Sequence, residues 1–60
     1  MAKYKYIVRD RETGNAIEGC MTIEEARRLI KLYEAEDRYD EIFIENFYEI
    51  YDVENKEIVY

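Results

Sequence analysis

One stretch of this chain repeats at helical spacing, and the runs on either side of it alternate, so a lone helix must pack against strands. Thr22-Ile23-Glu24-Glu25 reads as a capping box, with the Thr22 hydroxyl accepting from the Glu25 amide and the Glu25 carboxylate reaching back to the Thr22 amide. Beyond it, Ile23, Ala26, Leu29, Ile30 and Tyr33 fall on one helical face, while Arg27, Arg28 and Lys31 lie on the exposed one. The spacing predicts a helix from about Ile23 to Asp37 or Arg38.

Before the helix, Tyr4, Tyr6 and Val8 alternate with Lys3, Lys5 and Arg9, predicting a strand with an inward aromatic set and an outward basic set, Ile7 being the outward exception. Asp10-Arg11-Glu12-Thr13-Gly14-Asn15 is turn chemistry, with Gly14 able to take a positive φ, and Ala16 to Met21 returns as the second strand of a hairpin. After the helix, Ile42-Phe43-Ile44 fits either a short strand or a loop. Phe47 to Val53 reads as a strand, with Tyr48 and Ile50 on one face and Phe47, Glu49, Tyr51 and Val53 on the other. Glu54-Asn55-Lys56 turns the chain and Glu57 to Tyr60 comes back. The expected fold is α+β: one domain over residues 1–60, with a small antiparallel sheet, one helix packed on a face, and order β-β-α-β-β.

Composition removes whole classes of chemistry. Histidine and serine are absent, so neither a Ser-His-Asp nor a Cys-His site can be assembled, and the usual nitrogen and sulfur ligands of zinc are missing apart from one cysteine. Cys20, with no intrachain partner and no flanking base, is expected to be a small buried thiol in a reducing compartment. No apolar run approaches the roughly 18 residues that span a bilayer, and the first residues lack the apolar stretch of a signal peptide, so a cytosolic protein with no cofactor and no membrane contact is expected. A chain of 60 residues buries only about 60% of its unfolded surface, which makes a homodimer an open alternative.

The charge is segregated along the chain. Residues 1–33 carry seven basic and five acidic side chains, whereas residues 34–60 carry ten acidic against two basic. An acidic half repels nucleic acid and attracts proteins that bind it. Glu34, Glu36 and Asp37 crowd the last helical turn, where carboxylates oppose the helix dipole at about 0.3–1 kcal/mol each. With Asp40, Glu41, Glu45, Glu49, Tyr51, Asp52, Glu54 and Glu57 they make a candidate partner-binding set, offering spaced anions and rings to a basic groove built for phosphates and bases. Two other chemistries remain open. Asp10 with Glu12, or Asp52 with Glu54, are the local carboxylate pairs for a metal-dependent nickase, and Lys3, Lys5, Arg9, Arg27, Arg28 and Lys31 are the bases of a DNA binder.

Lys5-Tyr6-Ile7-Val8-Arg9-Asp10, leading through Glu12-Thr13-Gly14 into a capped helix and closing on Phe47-Tyr48-Glu49-Ile50-Tyr51-Asp52, resembles the small acidic proteins of phages and mobile elements in clostridial and related bacteria. Some proteins of that group and size are anti-CRISPR proteins, several of which mimic DNA. The resemblance implies an inhibitor that acts in a bacterial host cell, with a basic nucleic-acid-binding protein such as a Cas effector as its partner.

Overall fold

The computed structural model of the chain describes residues 4–60. Its elements follow the predicted order: β1 (Tyr6–Asp10), β2 (Ala16–Cys20), α1 (Ile23–Tyr39), β3 (Tyr48–Asp52) and β4 (Glu57–Ile58). The strands form one antiparallel sheet in the order β2-β1-β3-β4. The helix crosses one face, touching β1, β2 and β3 but not β4. Val8, Cys20, Tyr48 and Ile50 from the sheet meet Ala26 and Ile30 from the helix, and Tyr6, Ile23, Leu29, Tyr33, Phe47 and Val59 close round them. The helical spacing in the sequence therefore picked out the packed side of α1.

Both hairpin turns open on an aspartate whose carboxylate accepts backbone amides further along the turn. Asp10 Oδ1 accepts from Glu12 at 2.8 Å and Thr13 at 3.3 Å, and Asp52 Oδ1 accepts from Asn55 at 3.1 Å. This is the preference that places Asp at turn starts. In the first turn Gly14 takes φ 78° and its amide bonds the Asp10 carbonyl at 2.7 Å. Ile17 is the extra residue of a bulge, because Val8 pairs with Glu18 while Arg9 pairs with Ala16.

The two ends of α1 are built differently. At its start the Glu25 amide donates to the Thr22 hydroxyl at 3.1 Å, but the Glu25 carboxylate accepts from the Met21 amide at 3.4 Å instead of from Thr22. At its finish the Glu41 amide bonds the Arg38 carbonyl at 3.1 Å and the Ile42 amide bonds the Asp37 carbonyl at 2.8 Å, with Glu41 at φ 61°. That pair of bonds round a left-handed residue is a Schellman stop, a position where glycine is usual. The helix accordingly runs to Tyr39, past the predicted end. Ile42, Phe43 and Ile44 form a loop, not a strand.

Two sequence expectations are corrected, and a third falls outside the described residues. Tyr4 is not part of the inward set: the chain bends at Lys5, the strand begins at Tyr6, and Tyr4 is half-exposed with its ring lying over Gly19. A Cβ on Gly19 would overlap that ring, so the glycine makes the space. Phe47 precedes β3 and packs with the core, edge-on to Tyr48 at a centroid distance of 5.1 Å, so it does not share the face of Glu49 and Tyr51. Lys3, one of the predicted outward bases, lies outside the described residues.

Candidate functional site

The eleven residues singled out from the sequence do not form one surface. Asp10 lies opposite Tyr48 and Tyr6 opposite Asp52 in the antiparallel register of β1 and β3. The tyrosine hydroxyl of Tyr48 donates to Asp37 Oδ2 at 2.7 Å. The first hairpin turn, the C-terminus of α1 and the 40–46 loop therefore share one end of the molecule. The β3–β4 turn and the helix N-terminus occupy the other, about 17 Å away along a five-residue strand.

Three of the predicted acids are used internally. Glu49 is only 4% exposed, and its Oε2 accepts from Arg9 Nε at 2.8 Å and Arg9 Nη2 at 2.5 Å, with Arg11 Nη1 at 3.9 Å from Oε1. Arg9 and Glu49 are direct cross-strand partners on the sheet face that the helix leaves open, where opposite charges stabilise the pairing. The Arg9 guanidinium also lies over the Tyr51 ring, 4.4 Å from its centroid, leaving Tyr51 half-buried. Asp52 is 7% exposed and holds Asn55 through its backbone amide and through Nδ2 at 2.8 Å. The hydrogen bonds from Asn55 keep the Asp52 carboxyl below its ordinary value. Asp37 accepts the hydrogen bond of the Tyr48 hydroxyl, which explains a carboxylate placed against the helix dipole. Burial, and after it the bond to Asp37, push the Tyr48 phenol far above its ordinary range.

The remaining acids divide by position. Glu54 and Glu57 are exposed at the far end, and Glu34 lines a groove of about 330 Å³ between α1 and the chain's end, beside Arg27, Ile30, Lys31 and Tyr60. Glu36, Asp40, Glu41 and Glu45 are exposed together at the helix C-terminal end, and none takes part in an ion pair among the described residues. Between them stand exposed apolar side chains: Tyr39 at 88%, Ile42 at 63% and Ile44 at 52%. Arg38, the base of the last helical turn, is laid over the Phe43 ring at 4.3 Å. A second groove, of about 350 Å³, opens beside this loop and is lined by Asp37, Ile42, Ile44, Phe47 and Tyr48.

The competing chemistries meet the same geometry. Asp10 and Asp52, each half of a proposed metal pair, already hold turn amides. Among the described residues no three His, Cys, Asp or Glu side chains converge as a metal ion requires. Arg9 lies on the open sheet face and is paired, while Arg27, Arg28 and Lys31 ride on the helix across the sheet, so these bases make no continuous stripe. Cys20 is a free, fully buried thiol, and its burial raises its pKa, which leaves it a packing residue.

Arg11 is a residue that sequence reasoning missed. Its Nε donates to the Asn46 carbonyl at 2.8 Å, and its Nη2 donates to the carbonyls of Tyr48 at 2.8 Å and Tyr60 at 2.9 Å. The side chain thus ties the loop, β3 and the chain's last residue to the first turn. Its partners lie 35 to 49 residues away in the chain, so no local pattern could reveal them. Among the described residues no helix is long and apolar enough to cross a membrane. Neither a protein-family model, nor a curated protein, nor a solved structure matches this chain.

Proposed function

We propose that this protein is a non-enzymatic binding protein whose acidic helix-terminal end occupies the basic nucleic-acid groove of a partner, inhibiting it by charge mimicry. The observation that carries this reading is the exposed group Glu36, Asp40, Glu41 and Glu45 at the helix C-terminal end, none of which is ion-paired among the described residues. Spaced carboxylates in that setting stand in for backbone phosphates, and a groove evolved to neutralise phosphates attracts them over long range. The surface is smaller than the whole acidic half of the sequence, because Asp37, Glu49 and Asp52 hold the fold together. The resemblance to phage-borne inhibitors makes a Cas effector the first partner to try.

The test is displacement of labelled DNA from a Cas nuclease by the protein and by two variants. Changing Glu36 and Glu41 to Gln, Glu45 to Gln and Asp40 to Asn is expected to weaken displacement at least tenfold, whereas changing Glu54 and Glu57 to Gln leaves it nearly unaltered. Displacement by the wild type is also expected to decline steeply with added salt. Equal potency of the first variant and the wild type overturns the reading. Glu49 and Asp52 are kept out of both variants, since their loss disturbs the sheet and the second turn.

A further inference from the structure

We infer that the acidic end is a mixed surface, in which the groove beside the 40–46 loop seats an apolar side chain projecting from a basic segment of the partner protein. This rests on the binding role proposed above and adds what a phosphate mimic alone does not need. Phosphates carry no apolar surface, yet the acids here are interleaved along the chain with Tyr39, Ile42 and Ile44, all more than half exposed. The groove that Ile42 and Ile44 border is walled by these two and Phe47, with Tyr48 and Asp37 closed on each other by their hydrogen bond. Its volume of about 350 Å³ holds one large aliphatic or aromatic side chain.

Charge decides what surrounds that side chain. Glu41 and Glu45, both exposed, are the chain neighbours of the groove residues Ile42 and Ile44, exposed Asp40 precedes Glu41 and exposed Glu36 lies one helical turn before Asp40, while Arg38 is spread over Phe43 and Arg11 is bonded to the Asn46 and Tyr48 carbonyls. An acidic segment would set like charges against these carboxylates and a neutral one would leave them unpaired, whereas lysines and arginines flanking a leucine, methionine or phenylalanine complement them. The occupant is therefore an amphipathic basic segment, with the apolar residue in the groove and its bases against these carboxylates.

Two synthetic peptides of equal length and equal lysine content separate the terms: one carries leucines along a helical face, and the other carries glutamines in their place. Binding to the full chain is followed by calorimetry and by amide chemical shifts. The leucine peptide is expected to bind about tenfold more tightly, the difference that burying most of one leucine supplies. Shifts are expected to concentrate at residues 39–47, and the advantage to survive added salt. The double variant Ile42→Ser and Ile44→Ser, at exposed positions, should erase the preference while retaining the weaker binding of the glutamine peptide. Equal affinity for the two peptides, abolished by the four-acid variant, overturns this inference and leaves the electrostatic reading standing. Absence of binding by either peptide removes both. Shifts on the open sheet face, or a leucine preference that persists in the double variant, also overturn it. Concentration-dependent shifts at Ile42 and Ile44 without peptide would identify a second copy as the occupant and overturn it equally.

Discussion

Tyr48 shows how one side chain answers a question raised by another. Asp37 is out of place by charge near a helix C-terminus, but it accepts the Tyr48 hydroxyl at 2.7 Å at the edge of the core. The bond carries a pH consequence. Burial raises the pKa of Tyr48 and of Tyr33 above the ordinary 10.0, and that of Cys20 above 9.0. All three keep their protons in the folded state at a pH where the unfolded chain has begun to lose them. Their contribution is complete below the unfolded values and is lost as pH rises through the folded ones. Stability measured by urea midpoint is therefore expected to hold to about pH 9 and to fall beyond it. Tyr48→Phe should cost about 1–2 kcal/mol at neutral pH, since it removes a hydrogen bond to a charged group, and should make the alkaline decline shallower. An alkaline limb unchanged by the substitution would show that other groups govern it.

At the scale of elements, the helix stop is the most informative feature. A Schellman stop with Glu41 at φ 61° holds a side-chain-bearing residue in a conformation that costs about 1–2 kcal/mol relative to its preferred one. Glycine there is free of that cost, so Glu41→Gly is expected to raise stability by about 0.5–1 kcal/mol, read as a higher urea midpoint with an unchanged slope. A loss of stability would mean that the glutamate side chain makes a compensating contact. The same stop explains why the sequence places the end of α1 a residue or two early: without glycine or proline after Tyr39, only the downstream amide bonds mark where the helix ends. The start was legible because Thr22 and Glu25 act within one turn.

For the whole molecule, the open sheet face bears on oligomeric state. Four strands spaced about 4.8 Å apart and up to five residues long cover roughly 330 Å² in projection, against about 800 Å² per partner in a stable interface. Its centre is the Arg9–Glu49 pair, already satisfied within the chain. The protein is expected to sediment as a monomer at micromolar concentration, and a dimer mass from analytical ultracentrifugation would show that a larger surface is engaged. The distribution of charge also belongs to this scale. An excess of acids in residues 34–60 becomes two separate groups, because β3 carries the chain from one end of the molecule to the other.

The sequence by itself determined the order of elements, the packed face of the helix, the positions of the two turns and the buried thiol. Each of these depends on contacts within a few residues or on a periodicity that survives any tertiary arrangement. Tertiary structure alone decided which carboxylates face solvent. Glu49 and Glu36 are the same residue type in the same acidic half, but cross-strand pairing set Arg9 beside one, while the other projects from the exposed side of α1. Tyr4 and Phe47 likewise took faces that alternation alone assigns wrongly, because a bend at Lys5 and the entry into β3 reset the period. Charge pairing between distant strands is non-local, so its pattern appears only once the chain has closed on itself.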